Sequence, residues 1–107
     1  MEKKDTFILL IEGMIQKSKD KLEESLSKNA KLYHMTGLIE TRYEYIKDIL
    51  DGTLNYYDYK ILSFNEEYAI ISILAKVYSL PKSWWNLKMN IKYDENNKIL
   101  ECKVGIA

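Results

Sequence analysis

The chain has little of the residues that build cross-linked or metal-bound proteins. Its 107 residues include one cysteine, Cys102, and one histidine, His34. This excludes an internal disulfide and a structural zinc site made of four cysteine or histidine ligands. We therefore expect a protein without metal or cofactor in a reducing, cytoplasmic compartment. No run approaches the ~20 apolar residues of a membrane helix, so neither a membrane anchor nor a signal peptide is predicted.

An excess of either charge is also absent. Sixteen basic residues balance sixteen acidic ones, whereas a chain devoted to nucleic acid usually carries a basic excess. The balance differs by region. Glu40–Glu67 contains seven acidic and three basic residues, whereas Pro81–Ala107 contains five lysines and three acidic residues. We expect one compact domain over residues 1–107, with oppositely charged surfaces.

Hydrophobic spacing predicts helices in the first half of the chain. Apolar residues recur every three to four positions in Asp5–Lys28, with a break near Ser18 as the alternative to one continuous helix. The segment Asn29–Gly37 has no clean period and is predicted as a connection or an extra turn. A second helix follows over Ile39–Leu50, and Gly52 is placed to end it.

A third helix is predicted over Phe64–Ser79. Ser63 and Glu66 have the spacing of a capping box, and Pro81 is placed to end the helix. Apolar residues go most of the way round this segment, which is typical of a central, buried helix.

The C-terminal segment alternates apolar and polar residues. Leu87–Tyr93 and Leu100–Ile106 flank the turn residues Asp94–Asn97, which predicts a β-hairpin. Alternation also leaves a third short strand at residues 55–62 as an option. The predicted fold class is therefore α+β, with three main helices followed by a C-terminal antiparallel β-hairpin. The adjacent Trp84 and Trp85 should point to opposite sides of the first hairpin strand.

The sequence offers no recognisable catalytic set. His34 could act as a base for Cys102, but no motif brings the two together, and Cys102 lies on the apolar face of the hairpin, where a thiol behaves as a small hydrophobe. We therefore expect a protein that is not an enzyme. A ligand-sized pocket lined by either residue would indicate otherwise.

Acidic and tyrosine residues form the most distinctive surface in the sequence. Glu40, Glu44 and Asp48 recur every four residues, on one side of the predicted second helix. Tyrosines and carboxylates follow, a combination common at protein interfaces. A solvated helix face and a tyrosine clamp on the connection are the alternatives. The candidate partner-binding residues are Glu40, Glu44, Asp48, Asp51, Tyr56, Tyr57, Asp58 and Tyr59.

These features favour a protein-binding domain whose partner is basic. The most concrete hypothesis is an immunity or inhibitor protein that neutralises an enzyme such as a bacterial toxin nuclease. Nucleases bind phosphates with basic active sites, so an acidic surface would both speed association and cover the site. In this hypothesis the carboxylates steer the partner and the tyrosines anchor it.

One segment resembles a known DNA-binding family. Leu32–Leu38 followed by Tyr45–Gly52 is similar to pieces of phage-repressor-type helix-turn-helix domains, where a glycine turn precedes a recognition helix. The resemblance implies a DNA-binding regulator, which is the alternative function. The would-be recognition helix carries four acidic residues against two basic ones and would face DNA phosphates with net negative charge. A protein partner is therefore favoured over nucleic acid.

Overall fold

A computed structural model describes all 107 residues as three helices and six strands. In chain order they are α1 (Lys3–Gln16), α2 (Lys19–Ser25), β1 (Leu26–Tyr33), β2 (Ile39–Thr41), α3 (Arg42–Leu50), β3 (Leu54–Phe64), β4 (Tyr68–Val77), β5 (Ser83–Tyr93) and β6 (Ile99–Ile106). The predicted fold class is therefore wrong, since a six-stranded sheet replaces the third helix and the lone hairpin. No helix has the length and apolar character required to span a bilayer.

All six strands form one mixed sheet in the order β2-β1-β6-β5-β4-β3. Neighbours pair antiparallel except β1 and β6, which run parallel with Leu32 opposite Cys102. The helices cover one face of this sheet, and the core lies between. Fully buried Phe7 and Ile11 of α1 meet Ile71 of β4 and Ile99 of β6 in that layer.

The N-terminal helical region is broken, as the alternative near Ser18 anticipated. Lys17 adopts the left-handed conformation (φ 52°), and its N–H bonds to the Gly13 carbonyl, which ends α1. The Ser18 hydroxyl then accepts a hydrogen bond from the Lys21 N–H and starts α2. Because a glycine occupies position 13, the backbone and side chain of Leu22 can approach α1 closely.

The second predicted helix exists but starts three residues later than expected. Thr41 and Glu44 form a capping box at its start, with each side chain accepting from the other residue's backbone N–H. Ile39 and Glu40 therefore belong to β2 rather than to a helix. Of the predicted connection, residues 29–33 belong to strand β1, and residues 34–37 lie in the turn that connects β1 to β2.

The segment predicted as the third helix is strand β4. Its alternate residues are buried, and four of its ten residues are isoleucine or valine, which pack well on a pleated surface. The predicted capping box is replaced by a turn in which the Asn65 side chain accepts from the Glu67 and Tyr68 N–H groups. Residues 55–62, the optional third strand, fall within β3.

The predicted hairpin residues form β5 and β6, but these are inner strands of the sheet. The Asp94 side chain accepts from the Asn96 and Lys98 N–H groups in the turn, and Asn97 is left-handed (φ 59°). On β5, Trp84 is exposed while Trp85 points towards the helices, so the two tryptophans do lie on opposite sides.

Candidate functional site

A cavity of about 140 Å³ lies between the sheet and the helices. Leu10 and Met14 of α1 cover it, and Ile71, Ile73 and Met89 form part of its floor. Eighteen of its twenty lining residues are hydrophobic, and none is aspartate, glutamate, lysine or arginine. Largely apolar cavities with a few polar groups are typical of small-molecule sites.

His34 is the polar residue whose surroundings are most unusual. It follows β1 and lines the cavity, while Glu40 lies on β2, across the turn closed by Gly37. The His34 Nε2 atom lies 2.5 Å from the Glu40 Oε1 atom. Glu40 is only 4% exposed, so this carboxyl group is held behind the imidazole and away from solvent. The pairing leaves His34 Nδ1 without a hydrogen-bond partner in the protein.

Burial shifts the pKa values of this pair in opposite directions. Desolvation raises the pKa of Glu40 to about 8, and the neighbouring Asp48 and Glu44 carboxylates add to the increase. Burial lowers the pKa of His34, although the negative charge of Asp48 opposes that shift. At neutral pH Glu40 therefore keeps its proton, which lies in the hydrogen bond to the imidazole. An exposed glutamate would have lost this proton.

The ionisation of Glu40 decides what His34 can do. When Glu40 is protonated, its hydroxyl donates to Nε2, so the proton of the neutral imidazole is on Nδ1 and can be donated to a ligand. When Glu40 is ionised, it accepts from Nε2–H, and Nδ1 presents a lone pair. One titration with a pKa near 8 thus converts Nδ1 from an acid into a base. No group of three His, Cys, Asp or Glu side chains is arranged to hold a metal ion.

Three tyrosines add hydroxyl groups to the cavity lining. Tyr45 of α3, Tyr56 of β3 and Tyr78 after β4 all line it. Burial raises the pKa of Tyr45 well above its usual value and that of Tyr56 to about 12. The pKa of Tyr78 is also raised, by burial and by the Glu40 charge. All three remain uncharged phenols at neutral pH and can donate or accept hydrogen bonds.

Cys102 lines the same cavity but carries no reactive character. It is fully buried, and burial raises the pKa of its thiol to about 12. The structure brings Cys102 and His34 to one cavity, yet no hydrogen bond joins them. A Cys/His nucleophile pair therefore does not form, because the thiol stays protonated.

The predicted partner-binding residues do not form one surface. Glu40 is buried against His34, and Asp48 acts on it, so these two belong to the surroundings of His34 rather than to an outer surface. Glu44 is exposed and caps α3, while Asp51 accepts from the N–H and hydroxyl of Thr53 in the next turn. Hydrogen bonding to Thr41 and Thr53 lowers the pKa values of Glu44 and Asp51, respectively.

The tyrosine residues of that set are divided between the two faces of β3. Tyr56 points into the cavity, and Tyr59 packs against the core. Tyr57 is exposed, with the Lys82 ammonium 4.0 Å from its ring centroid. Asp58 lies at a bulge and accepts from the Tyr59 N–H. A partner-binding role for the eight residues stays untested.

Sequence reasoning missed His34, Tyr45, Tyr78 and Trp85 as cavity residues. The sequence feature that could have indicated the His34–Glu40 contact is the turn at Gly37. Had Leu32–Thr41 been predicted as a hairpin, its register would have placed Glu40 opposite Leu32 and beside His34. A carboxylate and the only histidine would then have shared one sheet face.

The comparisons with solved structures identify the fold. An NTF2-like protein of unknown function from Cytophaga hutchinsonii aligns with a TM-score of 0.75 and 13% identity, over 100% of this chain and 91% of that one. The chain has an NTF2-like fold. An M. tuberculosis LEH-like epoxide hydrolase aligns with a TM-score of 0.76 and 6% identity, over 96% of this chain and 80% of that one.

A third solved structure shares this fold. SalBIII, an epoxide hydrolase/cyclase-like enzyme with a role in pyran ring formation in the polyether salinomycin, aligns with a TM-score of 0.72 and 13% identity, over 98% of this chain and 90% of that one. The sequence matches no family model and no curated protein. At these identities the likeness shows the fold alone.

These findings overturn both functions predicted from the sequence. An immunity protein and a helix-turn-helix regulator were expected, but the similar structures are NTF2-like proteins and epoxide hydrolase-like enzymes. The helix-turn-helix hypothesis fails on geometry as well, because its presumed first helix, Leu32–Leu38, is the end of strand β1 and the turn that follows it. The acidic residues misled the prediction because Glu40 is on a strand and faces inward, not outward from a helix.

Proposed function

We propose that the cavity binds a small, largely apolar molecule and that His34 donates a proton to an oxygen atom of that molecule. The observation that carries the proposal is the contact between His34 and the buried Glu40 at an apolar cavity. A general acid works best when its pKa lies near the working pH, and the pKa of Glu40 is raised to about 8. The expectation of a non-enzymatic protein is untested, and this pair is our reason to propose otherwise.

The proton transfer balances within the pair. Nδ1–H gives its proton to the substrate oxygen, and the Glu40 proton moves to Nε2. The imidazole is again neutral, and the charge left behind is a Glu40 carboxylate hydrogen-bonded to Nε2–H. The negative charge of Asp48 favours protonation of both His34 and Glu40. It makes ionisation of Glu40 less favourable, so Glu40 stays protonated in a larger fraction of the molecules.

Epoxide opening by water is the reaction we would test first. Two proteins of similar structure are epoxide hydrolase-like enzymes. In this reaction water attacks one epoxide carbon and the carbon–oxygen bond breaks. His34 protonates the departing oxygen, and the attacking water loses a proton to solvent. The developing alkoxide would otherwise carry a full charge in an apolar cavity, which is costly.

The test follows diol formation from cyclohexene oxide, with the histidine titration as an independent readout. We expect diol formation that falls about 100-fold or more in His34→Gln, because general acid catalysis contributes ~10²–10⁴-fold. Tyr43→Phe is the matched control, since Tyr43 is 76% exposed on α3. His34 is the only histidine, so its ¹⁵N resonances are unambiguous. Diol formation that is unaffected by His34→Gln, or an imidazole that titrates like an exposed histidine, would contradict the proposal.

A further inference from the structure

The face of the sheet that the helices leave uncovered, the outer face, is strongly basic. Successive strand residues point to opposite faces, and the buried Ile71 and Cys102 point towards the helices. The strand register therefore places six lysines and two acidic residues on the outer face. The lysines are Lys31, Lys60, Lys76, Lys88, Lys92 and Lys103, and the acidic residues are Asp58 and Glu101.

The zero net charge of the chain conceals this surface. Outside these eight residues the chain has ten basic and fourteen acidic residues. The molecule therefore has a positive outer face and a negative remainder. A surface with one dominant charge attracts ligands of the opposite charge and orients them as they approach.

Two of the lysines are held against the sheet by tyrosine rings. One row of paired residues crosses the outer face and consists of Tyr68, Asn90, Lys103 and Tyr33. The Lys103 ammonium lies 5.1 Å from the centroid of the Tyr33 ring. The Lys88 ammonium lies 4.5 Å from the centroid of the Tyr68 ring. These cation–π contacts keep two positive charges on the face, where they can contact phosphate groups.

Trp84 provides an aromatic ring that nothing covers. It pairs with Leu74 on the outer face, and 49% of its surface is exposed. Neither a lysine ammonium nor another ring packs on its indole. Asn86 and Asn90, both exposed, lie beyond it on β5, and their amides can donate and accept hydrogen bonds. Trp84 is therefore available to stack on an unpaired base.

This chemistry favours single-stranded nucleic acid over other partners. A second copy of the chain would bring the same positive charge to the contact and repel the first. An anionic membrane requires a continuous apolar surface to insert, but Asn86, Lys88 and Asn90 follow Trp84 along β5. Single strands combine phosphates, which lysines bind, with exposed bases, which stack on aromatic rings.

We propose that the outer face binds single-stranded nucleic acid, with Lys88 and Lys103 against phosphates and a base stacked on Trp84. The site is on the side of the sheet opposite the helices and is independent of the function proposed for the cavity. It also differs from the helix-turn-helix hypothesis, in which α3 would have contacted duplex DNA.

The test measures how the full chain binds fluorescently labelled oligo(dT) and oligo(U) of about 12 nucleotides, a length within the range of known single-strand sites. Fluorescence anisotropy at several salt concentrations gives the affinities. We expect both single strands to bind more tightly than a duplex of the same length, because the bases of a duplex are already stacked. Tighter binding of oligo(U) would identify RNA as the ligand, and tighter binding of oligo(dT) would identify DNA.

The lysine contacts are tested by the double substitution Lys88→Gln and Lys103→Gln. Binding should weaken, and the slope of log affinity against log salt should become shallower by about 1.4, since each phosphate contact on a single strand contributes about 0.7. Lys4→Gln with Lys19→Gln is the matched control. It removes the same charge from exposed positions on α1 and α2 and should leave the slope unchanged.

The stacking contact is tested at Trp84. We expect Trp84→Ala to weaken binding about tenfold and Trp84→Phe, which keeps a ring, to weaken it less. Tryptophan fluorescence should be quenched by oligo(dT) in the wild type but not in Trp84→Phe. This signal does not depend on the stability of the alanine variant.

Several outcomes would overturn the inference. These are the absence of binding at low salt, equal binding of the duplex, equal losses in the lysine control, or quenching that persists in Trp84→Phe. Competition by polyglutamate as effective as that by oligo(dT) would indicate an acidic protein partner instead. A dimer in sedimentation velocity that dissociates in Trp84→Ala would show that a second copy covers the outer face.

Discussion

His34 and Glu40 share a hydrogen bond of 2.5 Å, and burial shifts their pKa values in opposite directions. In the unfolded chain neither residue holds a proton above about pH 6.5, because both side chains have then passed their ordinary pKa values. The folded chain keeps a proton on Glu40 up to about pH 8. The folded state therefore binds one more proton than the unfolded state between about pH 6.5 and 8.

Stability should consequently fall as the pH rises through this interval. A carboxyl group whose pKa is raised by folding contributes stability that is lost as the pH passes its folded pKa. Over about 1.5 pH units, one proton corresponds to a loss of about 2 kcal/mol in the free energy of unfolding. Urea titrations at pH 6.5 and 8 measure it. In Glu40→Gln the decrease should vanish, and an identical decrease in that variant would contradict the assignment.

Lys17 should stabilise the contact between α1 and the end of α3. Its Nζ atom donates to the Ile49 carbonyl at 2.8 Å, the Leu54 carbonyl at 3.3 Å and the Asn55 Oδ1 atom at 2.8 Å. Lys17→Met removes these bonds and should lower the free energy of unfolding by about 1–2 kcal/mol. Lys19→Met is the matched control, because Lys19 is exposed and forms no hydrogen bond or ion pair. Equal effects of the two substitutions in urea unfolding would show that the bonds contribute nothing.

Gly13 should not tolerate a side chain, despite its position in a helix. A Cβ atom there would lie 3.0 Å from Leu22 Cγ and 3.1 Å from the Leu22 backbone nitrogen. Gly13→Ala should therefore destabilise the protein by ~1–3 kcal/mol, although alanine favours helices. Gly105→Ala is the control, since a Cβ at Gly105 meets nothing within 4 Å. Thermal melts of both variants measure the difference, and a stabilised Gly13→Ala would refute the close approach.

Cys102 should be unreactive until the protein unfolds. A thiol with its pKa raised to about 12 is ionised to only ~10⁻⁴ at pH 8, and this one is also fully buried. We expect no reaction with Ellman's reagent in native buffer and one equivalent in urea. Stoichiometric labelling of the native protein within minutes would mean that the cavity opens to solvent.

Three strands, β1, β2 and β4, escaped prediction. In β1 the alternation of apolar residues is interrupted, and in β4 apolar residues occupy both faces. In β4, apolar residues such as Ile70 and Leu74 on the outer face adjoin the buried Ile71 and Ile73, so alternation is lost and a buried helix is mimicked. The β-branched residues were the available evidence for a strand. In β1, a register shift between Leu26 and Lys31 interrupts the two-residue period. Segments without these features, such as Leu87–Tyr93, were assigned correctly to a strand.

The candidate site was less predictable than the strands. Placing Glu40 on a helix gave it the same face as Glu44, four residues on, but the helix begins at Arg42, after its cap Thr41, and Glu40 lies on the preceding strand. That one boundary decides whether the carboxylate faces solvent or His34. Predicting that Trp85 lines the cavity requires knowing which side of β5 faces the helices. Only the order of the strands in the sheet, which depends on long-range pairing, gives that information.

The parallel pairing of β1 with β6 has a consequence for how the chain reaches its native state. Leu32 and Cys102 are opposite one another but seventy residues apart in the chain. The hairpin of β1 and β2 therefore has no inner neighbour until the last strand has left the ribosome, and closing so long a loop slows folding. During synthesis, His34 and Glu40 leave the ribosome before β5 and β6, the strands that complete the cavity beside them.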